Sequence, residues 1–249
     1  KTEGLFLRDN IKDIILYGNR ILSIYNENDN SQFILSGPSG NDGFEIYNSA
    51  IKEWIVQSPK LGTLALTTKP ATNTFGYLYF IDINSKERTK ILEKIVGLTT
   101  LTNNKADRVI LGEKMNLSIY YVDSKEKNRL DVNTLPEKCI WFEDSINVIC
   151  GVPKNPVGGK YPEDWYQGIN SFSDDIYMIN VDSGLSRLVI SPEEFSGESI
   201  DMIKLALDTD EKFLFFINKK DQSLWSLEIT PEIKIETENI ETATTTSEN

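Results

Sequence analysis

The residues best equipped for chemistry in this 249-residue chain gather between Val152 and Ile176. There Tyr161, Glu163, Asp164, Trp165, Tyr166, Asp174 and Asp175 stand among prolines and glycines. Paired carboxylates can serve as acid and base on a glycosidic bond when one is desolvated and its pKa rises. Carboxylates of this kind also bind calcium, and Trp and Tyr beside them can stack on a sugar, grip a peptide or attract a cation. The spacing argues against the first two uses. Asp174 and Asp175 are adjacent and point to opposite faces if the chain is extended, and the acids lack the alternation of an EF-hand loop. Solvated turn carboxylates are the plainer reading. No cofactor is expected, and calcium is the one ion the segment keeps open. Tyr161, Asp164, Trp165, Tyr166, Asp174 and Asp175 form the candidate ligand-binding set, and no residue is singled out as catalytic.

The composition excludes more than it assigns. There is no histidine, which removes His-dependent triads, most zinc sites and the usual general base near neutral pH. The Gly-x-Ser-x-Gly elbow of serine hydrolases is also missing. A net charge of −12 is the wrong sign for a nucleic-acid partner, since phosphate binding needs a basic stripe. No apolar run approaches the roughly 20 residues of a membrane helix. The densest, Phe213–Ile217, is the length of a strand, so membrane contact by this segment itself is not expected.

The elements that must position the candidate residues are strands. Stretches rich in Ile, Val, Leu, Tyr and Phe alternate with Asn/Asp/Ser/Gly clusters, and helical periodicity is scarce, so the chain reads as all-β. One signature recurs: an aromatic-aliphatic strand, an Asx-Ser turn and a basic-aliphatic strand. It runs from Tyr77 through Ser85 to Leu92, from Leu117 through Ser124 to Val132, and from Ile176 through Ser183 to Ile190. The turn serines are 39 and 59 residues apart. A period of about 40 residues is that of a four-stranded propeller blade, and the longer interval holds an insertion of about 20.

Each copy follows another hairpin. This predicts a β-propeller of four-stranded antiparallel blades, five of them, near 11–50, 52–95, 97–133, 137–190 and 200–237. The acidic, Thr-rich tail over 238–249 has little to bury and is expected to be disordered. A β-sandwich would not explain turn chemistry at a fixed period. Five blades beginning abruptly at Lys1 suggest an incomplete ring, part of a larger one with six to eight blades. Trp54, Trp141 and Trp225 fall on strands and are expected to pack between blades.

The strand assignment also brings the cysteines together. Cys139 and Cys150 flank Glu143–Ile146, and a turn centred between Asp144 and Ser145 sets them opposite each other. Opposed Cα atoms lie about 4.5 or 5.5 Å apart and a disulfide needs about 4.4 to 6.8 Å, so a bridge fits. Two buried, inert thiols are the alternative.

The stretches Thr134-Leu-Pro-Glu-Lys-Cys-Ile-Trp141, Tyr161-Pro-Glu-Asp-Trp-Tyr-Gln-Gly168, Ser171–Ile176 and Leu214–Asp221 carry a resemblance. Over nearly the whole chain to about Ile229, the sequence resembles an uncharacterised group of bacterial WD40-like or TolB-like β-propeller proteins. That resemblance implies a propeller, an extracytoplasmic address, an N-terminal membrane tether upstream of Lys1 and further blades. It implies no reaction, because propellers host enzymes, receptors and scaffolds alike.

On such a scaffold the insertion joins second and third strands. It is expected on the face that carries the blade connections around Asn133–Pro136 and Ser191–Ser199. Long loops on rigid scaffolds often hold binding residues. The segment reads either as a flap whose Trp165 and Tyr166 plug the central opening or as a direct binding site. The expected function is a non-enzymatic extracytoplasmic scaffold for a protein or glycan at the cell surface. The alternative is a carboxylate-dependent propeller enzyme, a hydrolase or lyase acting on polysaccharide or peptide.

Overall fold

The computed structural model describes residues 10–229 except 28, 41, 156 and 157. Its strands follow one another as antiparallel meanders. The first sheet holds β1 (Ile11–Tyr17), β2 (Arg20–Glu27), β3 (Asn30–Ser36) and β4 (Phe44–Ser49); the second holds β5 (Trp54–Lys60), β6 (Thr63–Thr68), β7 (Phe75–Asp82) and β8 (Arg88–Val96). The third comprises β9 (Leu98–Thr102), β10 (Arg108–Glu113), β11 (Asn116–Tyr121) and β12 (Lys127–Asn133). The fourth comprises β13 (Cys139–Trp141), β14 (Asn147–Pro153), β15 (Asp174–Asn180) and β16 (Ser186–Ile190). The fifth shows three strands among the described residues: β17 (Met202–Leu207), β18 (Phe213–Asn218) and β19 (Leu224–Glu228). These are the five blades of a β-propeller. The part of the last unit beyond Ile229, and the tail over 238–249, lie outside the described residues.

The repeated turn has a backbone cause. Lys86, Lys125 and Gly184 adopt left-handed φ of 61°, 60° and 74°. Each N–H bonds the carbonyl four residues earlier, on Asp82, Tyr121 and Asn180. Where the leading residue is Asx, its side chain adds to the turn: Asp82 Oδ1 accepts the N–H of Asn84 and Ser85 at 2.9 and 2.8 Å. A fourth copy of the same backbone turn runs from Asn218 to Gln222, whose φ is 63°. It escapes the sequence pattern because Lys219-Lys220-Asp221 stands where the others carry Asp-Ser or a close relative.

Core residues lie mainly between blades. Separate apolar clusters centre on Phe33 and Leu66 between the first and second blades, Leu78 and Leu111 between the second and third, Ile119 and Val148 between the third and fourth, and Met178 and Phe216 between the fourth and fifth. Trp54, Trp141 and Trp225 pack in these clusters, as their strand positions suggested. Among the described residues no such cluster joins the fifth blade to the first.

Among the described residues two short α-helices interrupt the pattern: α1 (Glu163–Tyr166) in the insertion and α2 (Pro192–Ser196) after β16. Sequence periodicity missed both, since one turn of helix is too short to show a 3.6-residue repeat. Cys139 pairs with Cys150 in the β13–β14 register and the two form a disulfide, with Cα atoms 4.1 Å apart.

Candidate functional site

The insertion leaves β14 at Lys154, whose N–H bonds the Ser173 carbonyl at 2.9 Å and so closes its neck. Beyond the neck it folds on itself. Asp164 Oδ2 accepts the Lys160 N–H at 2.7 Å, while the Asp164 carbonyl accepts the Asn170 N–H at 3.0 Å. Tyr161, Trp165 and Phe172 pack with Leu135 into a small apolar cluster that also touches Met115 and Ile203. Trp165 and Phe172 are stacked at 6.4 Å between centroids. These partners come from the third blade, the connection into the fourth and the start of the fifth. The segment therefore lies on the face of the blade connections and reaches across several blades there.

Beneath it sits a charge cluster. Lys138, Asp174 and Asp201 have side chains with no exposed surface. Lys138 Nζ lies 2.6 Å from Asp174 Oδ2 and 2.5 Å from Asp201 Oδ1, donates to the Met202 carbonyl at 3.1 Å, and stands 5.1 Å from the Trp165 ring centre. Asp201 gathers the insertion: it accepts Trp165 Nε1–H at 3.0 Å, Ser171 Oγ–H at 3.1 Å and Phe172 N–H at 3.1 Å. Asp174 Oδ2 accepts the Met202 N–H at 2.7 Å. The backbone comes close here. A Cβ on Gly151 would meet Met202 Sδ at 2.9 Å and Asp174 Oδ2 at 3.1 Å, so glycine leaves room for the cluster.

The two acids ionise differently. Burial, only partly offset by Lys138 and the Met202 N–H, pushes the Asp174 carboxyl up to about 6. Burial also opposes ionisation of Asp201, but Lys138 and the bonds from Trp165 and Phe172 outweigh it and lower its pKa. At neutral pH both are anionic around one ammonium, an arrangement in which attraction must offset a large desolvation cost.

Further ties fix the edges. Glu163 accepts both the N–H and the hydroxyl of Thr72, from the β6–β7 loop of the second blade. Burial opposes its ionisation, yet the Thr72 donors prevail and lower its pKa. Lys219 donates to the Trp165 carbonyl and lies 4.4 Å from the Trp165 ring centre. Tyr166 donates to Glu137, and burial together with that carboxylate raises the Tyr166 pKa.

The candidate residues thus divide. Tyr161, Trp165 and Asp174 are buried. Asp164 braces the loop. Asp175 faces away from Asp174, as alternation requires, and pairs with Lys154 at 3.4 Å. Tyr166 is 36% exposed, and Ile169 beside it is 66% exposed. The structure brings Trp165 and Asp174 to one cluster, with Asp174 fully buried and Asp164 turned to the backbone of its own loop. Among the described residues no three His, Cys, Asp or Glu side chains converge as a metal ion would need. Sequence reasoning missed Lys138, Asp201, Thr72, Glu137 and Lys219. A usable signal existed for two of them: Lys138 in Leu135-Pro-Glu-Lys-Cys-Ile-Trp and Asp201 in Ser199-Ile-Asp-Met-Ile are charges set against apolar strand starts.

No protein-family model and no curated protein matches the chain. Solved structures do. The tricorn protease aligns at TM-score 0.54 and 11% identity over 83% of this chain. An uncharacterised protein from Listeria monocytogenes EGD-e aligns at 0.56 and 14% over 91%. TolB from Acinetobacter baumannii aligns at 0.56 and 10% over 89%. The chain spans 19%, 65% and 55% of those three proteins respectively. Identities this low speak to architecture alone: the chain shares a β-propeller architecture with these proteins.

Proposed function

We propose that the protein is a non-enzymatic binding scaffold that works outside the cytoplasm and presents the face closed by the insertion to a protein or glycan of the cell envelope. One observation carries the reading. The carboxylates and aromatics that could have done chemistry are engaged in holding the insertion down, so this face is a fixed surface with Tyr166 and Ile169 outward. Fixed surfaces with exposed aromatic and aliphatic groups suit recognition, because little ordering entropy is lost on binding. The Cys139–Cys150 disulfide supports an oxidising compartment. No helix among the described residues is long and apolar enough to cross a membrane, and a tether upstream of Lys1 belongs to this proposal. The enzyme alternative is less favoured, since Asp174 and Asp201 are fully buried and share Lys138.

The test is capture from solubilised envelope of the native cell by immobilised protein, with Tyr166→Glu/Ile169→Asp as the paired variant. Retention of a defined ligand by the wild type, reduced about tenfold in the variant whose circular dichroism is unchanged, is the expected result. Equal retention by both would remove this face as the site. Release of sugar or peptide fragments, abolished by Asp201→Asn, would favour the enzyme.

A further inference from the structure

The second blade borders a cavity at the end of its strands away from the insertion. β6 begins at this end with Thr63 and runs toward the loop of Thr72, the residue that Glu163 holds at the other end. At the Thr63 end, strand pairing lays one row of side chains straight across the sheet. Lys60 of β5 is opposite Thr63 of β6, Thr63 is opposite Asp82 of β7, and the Asp82 N–H bonds the Glu87 carbonyl at 3.0 Å. Opposed residues project to the same side of a sheet. The next row on that face holds Phe80 and its partner Thr89. With Ile91, and with Ala106 and Val122 of the third blade, these residues wall a cavity of about 340 Å³.

Its polar groups are unpaired. Among the described residues nothing engages the Lys60 ammonium, the Glu87 carboxylate or the hydroxyls of Thr63 and Thr89. Surface charges do find partners elsewhere on the same blade, where Lys69 pairs with Glu53 at 2.9 Å. We propose that the cavity binds a short peptide with free ends, about three residues long. Its ammonium lies against Glu87 and Asp82, its carboxylate against Lys60, and its middle aliphatic side chain on Phe80, Ile91 and Val122. Strands are about 4.7–4.9 Å apart, so the backbones at Lys60 and Glu87 stand about 14 Å apart, three strand spacings. An extended tripeptide spans about 10 Å, and the long side chains of Lys60 and Glu87 close the difference. The two threonine hydroxyls both donate and accept, as peptide amides require. Two carboxylates against one lysine disfavour an anionic ligand. The site is separate from Tyr166 and Ile169 and does not depend on the reading of the insertion face.

The probe is the tripeptide Ala-Leu-Ala with free termini, titrated into the intact chain by isothermal calorimetry. Saturable submillimolar binding is expected. Acetylating the amine should weaken it about tenfold, and amidating the carboxylate about tenfold as well. Glu87→Gln should weaken the free peptide about tenfold and leave the acetylated one as before, because the lost charge then has no partner to miss. Lys60→Met should treat the free and amidated peptides in the same way. Both residues are exposed, so circular dichroism should stay that of the wild type. Tyr166→Glu/Ile169→Asp should leave the titration unchanged, and Glu87→Gln should leave capture from the envelope unchanged, so failure of either site is told from failure of the other. Absence of saturable binding, or binding indifferent to either blocking group, would overturn the proposal. So would a Glu87→Gln variant that weakens the free and acetylated peptides alike.

Discussion

The third and fourth blades share one meander and differ in what holds them. In the third blade, β9 to β12 follow with tight turns, and the buried residues are aliphatic or small and polar, as with Thr100, whose hydroxyl meets that of Thr67 at 2.5 Å. Its charged groups stay at the surface. The fourth blade keeps four strands but has a disulfide across β13 and β14, a buried lysine at the foot of β13, and the insertion between β14 and β15. A blade therefore needs only alternating apolar strands and left-handed turn residues. The polar apparatus of the fourth blade is extra: Lys138 and Asp174 tie it to the start of the fifth blade at Asp201 and Met202, and Asp201 ties that junction to the insertion.

That contrast is broken most severely at Lys138. Lys138→Met strands two buried carboxylates and should destabilise the protein by about 3–5 kcal/mol, with the insertion losing protection first. Leu111→Ala between the second and third blades should cost about 2–4 kcal/mol while leaving the insertion as protected as before. Urea unfolding paired with hydrogen exchange separates the two outcomes. If Lys138→Met cost less than about 1 kcal/mol, the charge cluster would not be holding the insertion.

The next effect is pH-dependent. The Asp174 pKa rises from 3.8 to about 6 on folding, so its contribution to stability is fully present below pH 3.8 and lost as pH rises through about 6. Asp201 has the opposite sign: its lowered pKa gives stability above its ordinary value that is lost as pH falls through the folded value. Between pH 7 and pH 5 the Asp174 effect dominates. Wild type should gain about 1 kcal/mol relative to Asp174→Asn over that interval, with the uptake of nearly one proton. Parallel stability curves for the two proteins would contradict the assignment.

A smaller effect is expected at the second blade. Thr72→Val removes the hydroxyl donor to Glu163 while the backbone N–H remains, and should cost about 1 kcal/mol, confined to local opening around α1. A uniform loss across all blades would mean that the Thr72 contact supports the ring itself.

The regular part of the molecule was legible because its causes are local. Alternation in Tyr77–Asp82 and Ile176–Asn180 and the Asx-Ser turns after them are visible in the chain, and so was the pairing of Cys139 with Cys150 once the hairpin turn was centred. The turn at Asn218–Gln222 was not, since backbone geometry recurred without the side chains that had marked it. The insertion was legible as a segment but not as an arrangement. Its carboxylates find partners through contacts between residues far apart in sequence, Glu163 with Thr72 and Trp165 with Asp201. Periodicity carries no information about such pairs. The side of the ring it occupies followed from topology alone.

The central claim is that the insertion is a fixed cover clamped by Asp201. Amide exchange at Phe172, whose N–H bonds Asp201 Oδ2 at 3.1 Å, tests it most directly. Protection close to that of the β14 core is expected in the wild type, falling to that of an open loop in Asp201→Leu while the second and third blades stay protected. Loop-like exchange at Phe172 in the wild type, with those same blades protected, would contradict the account.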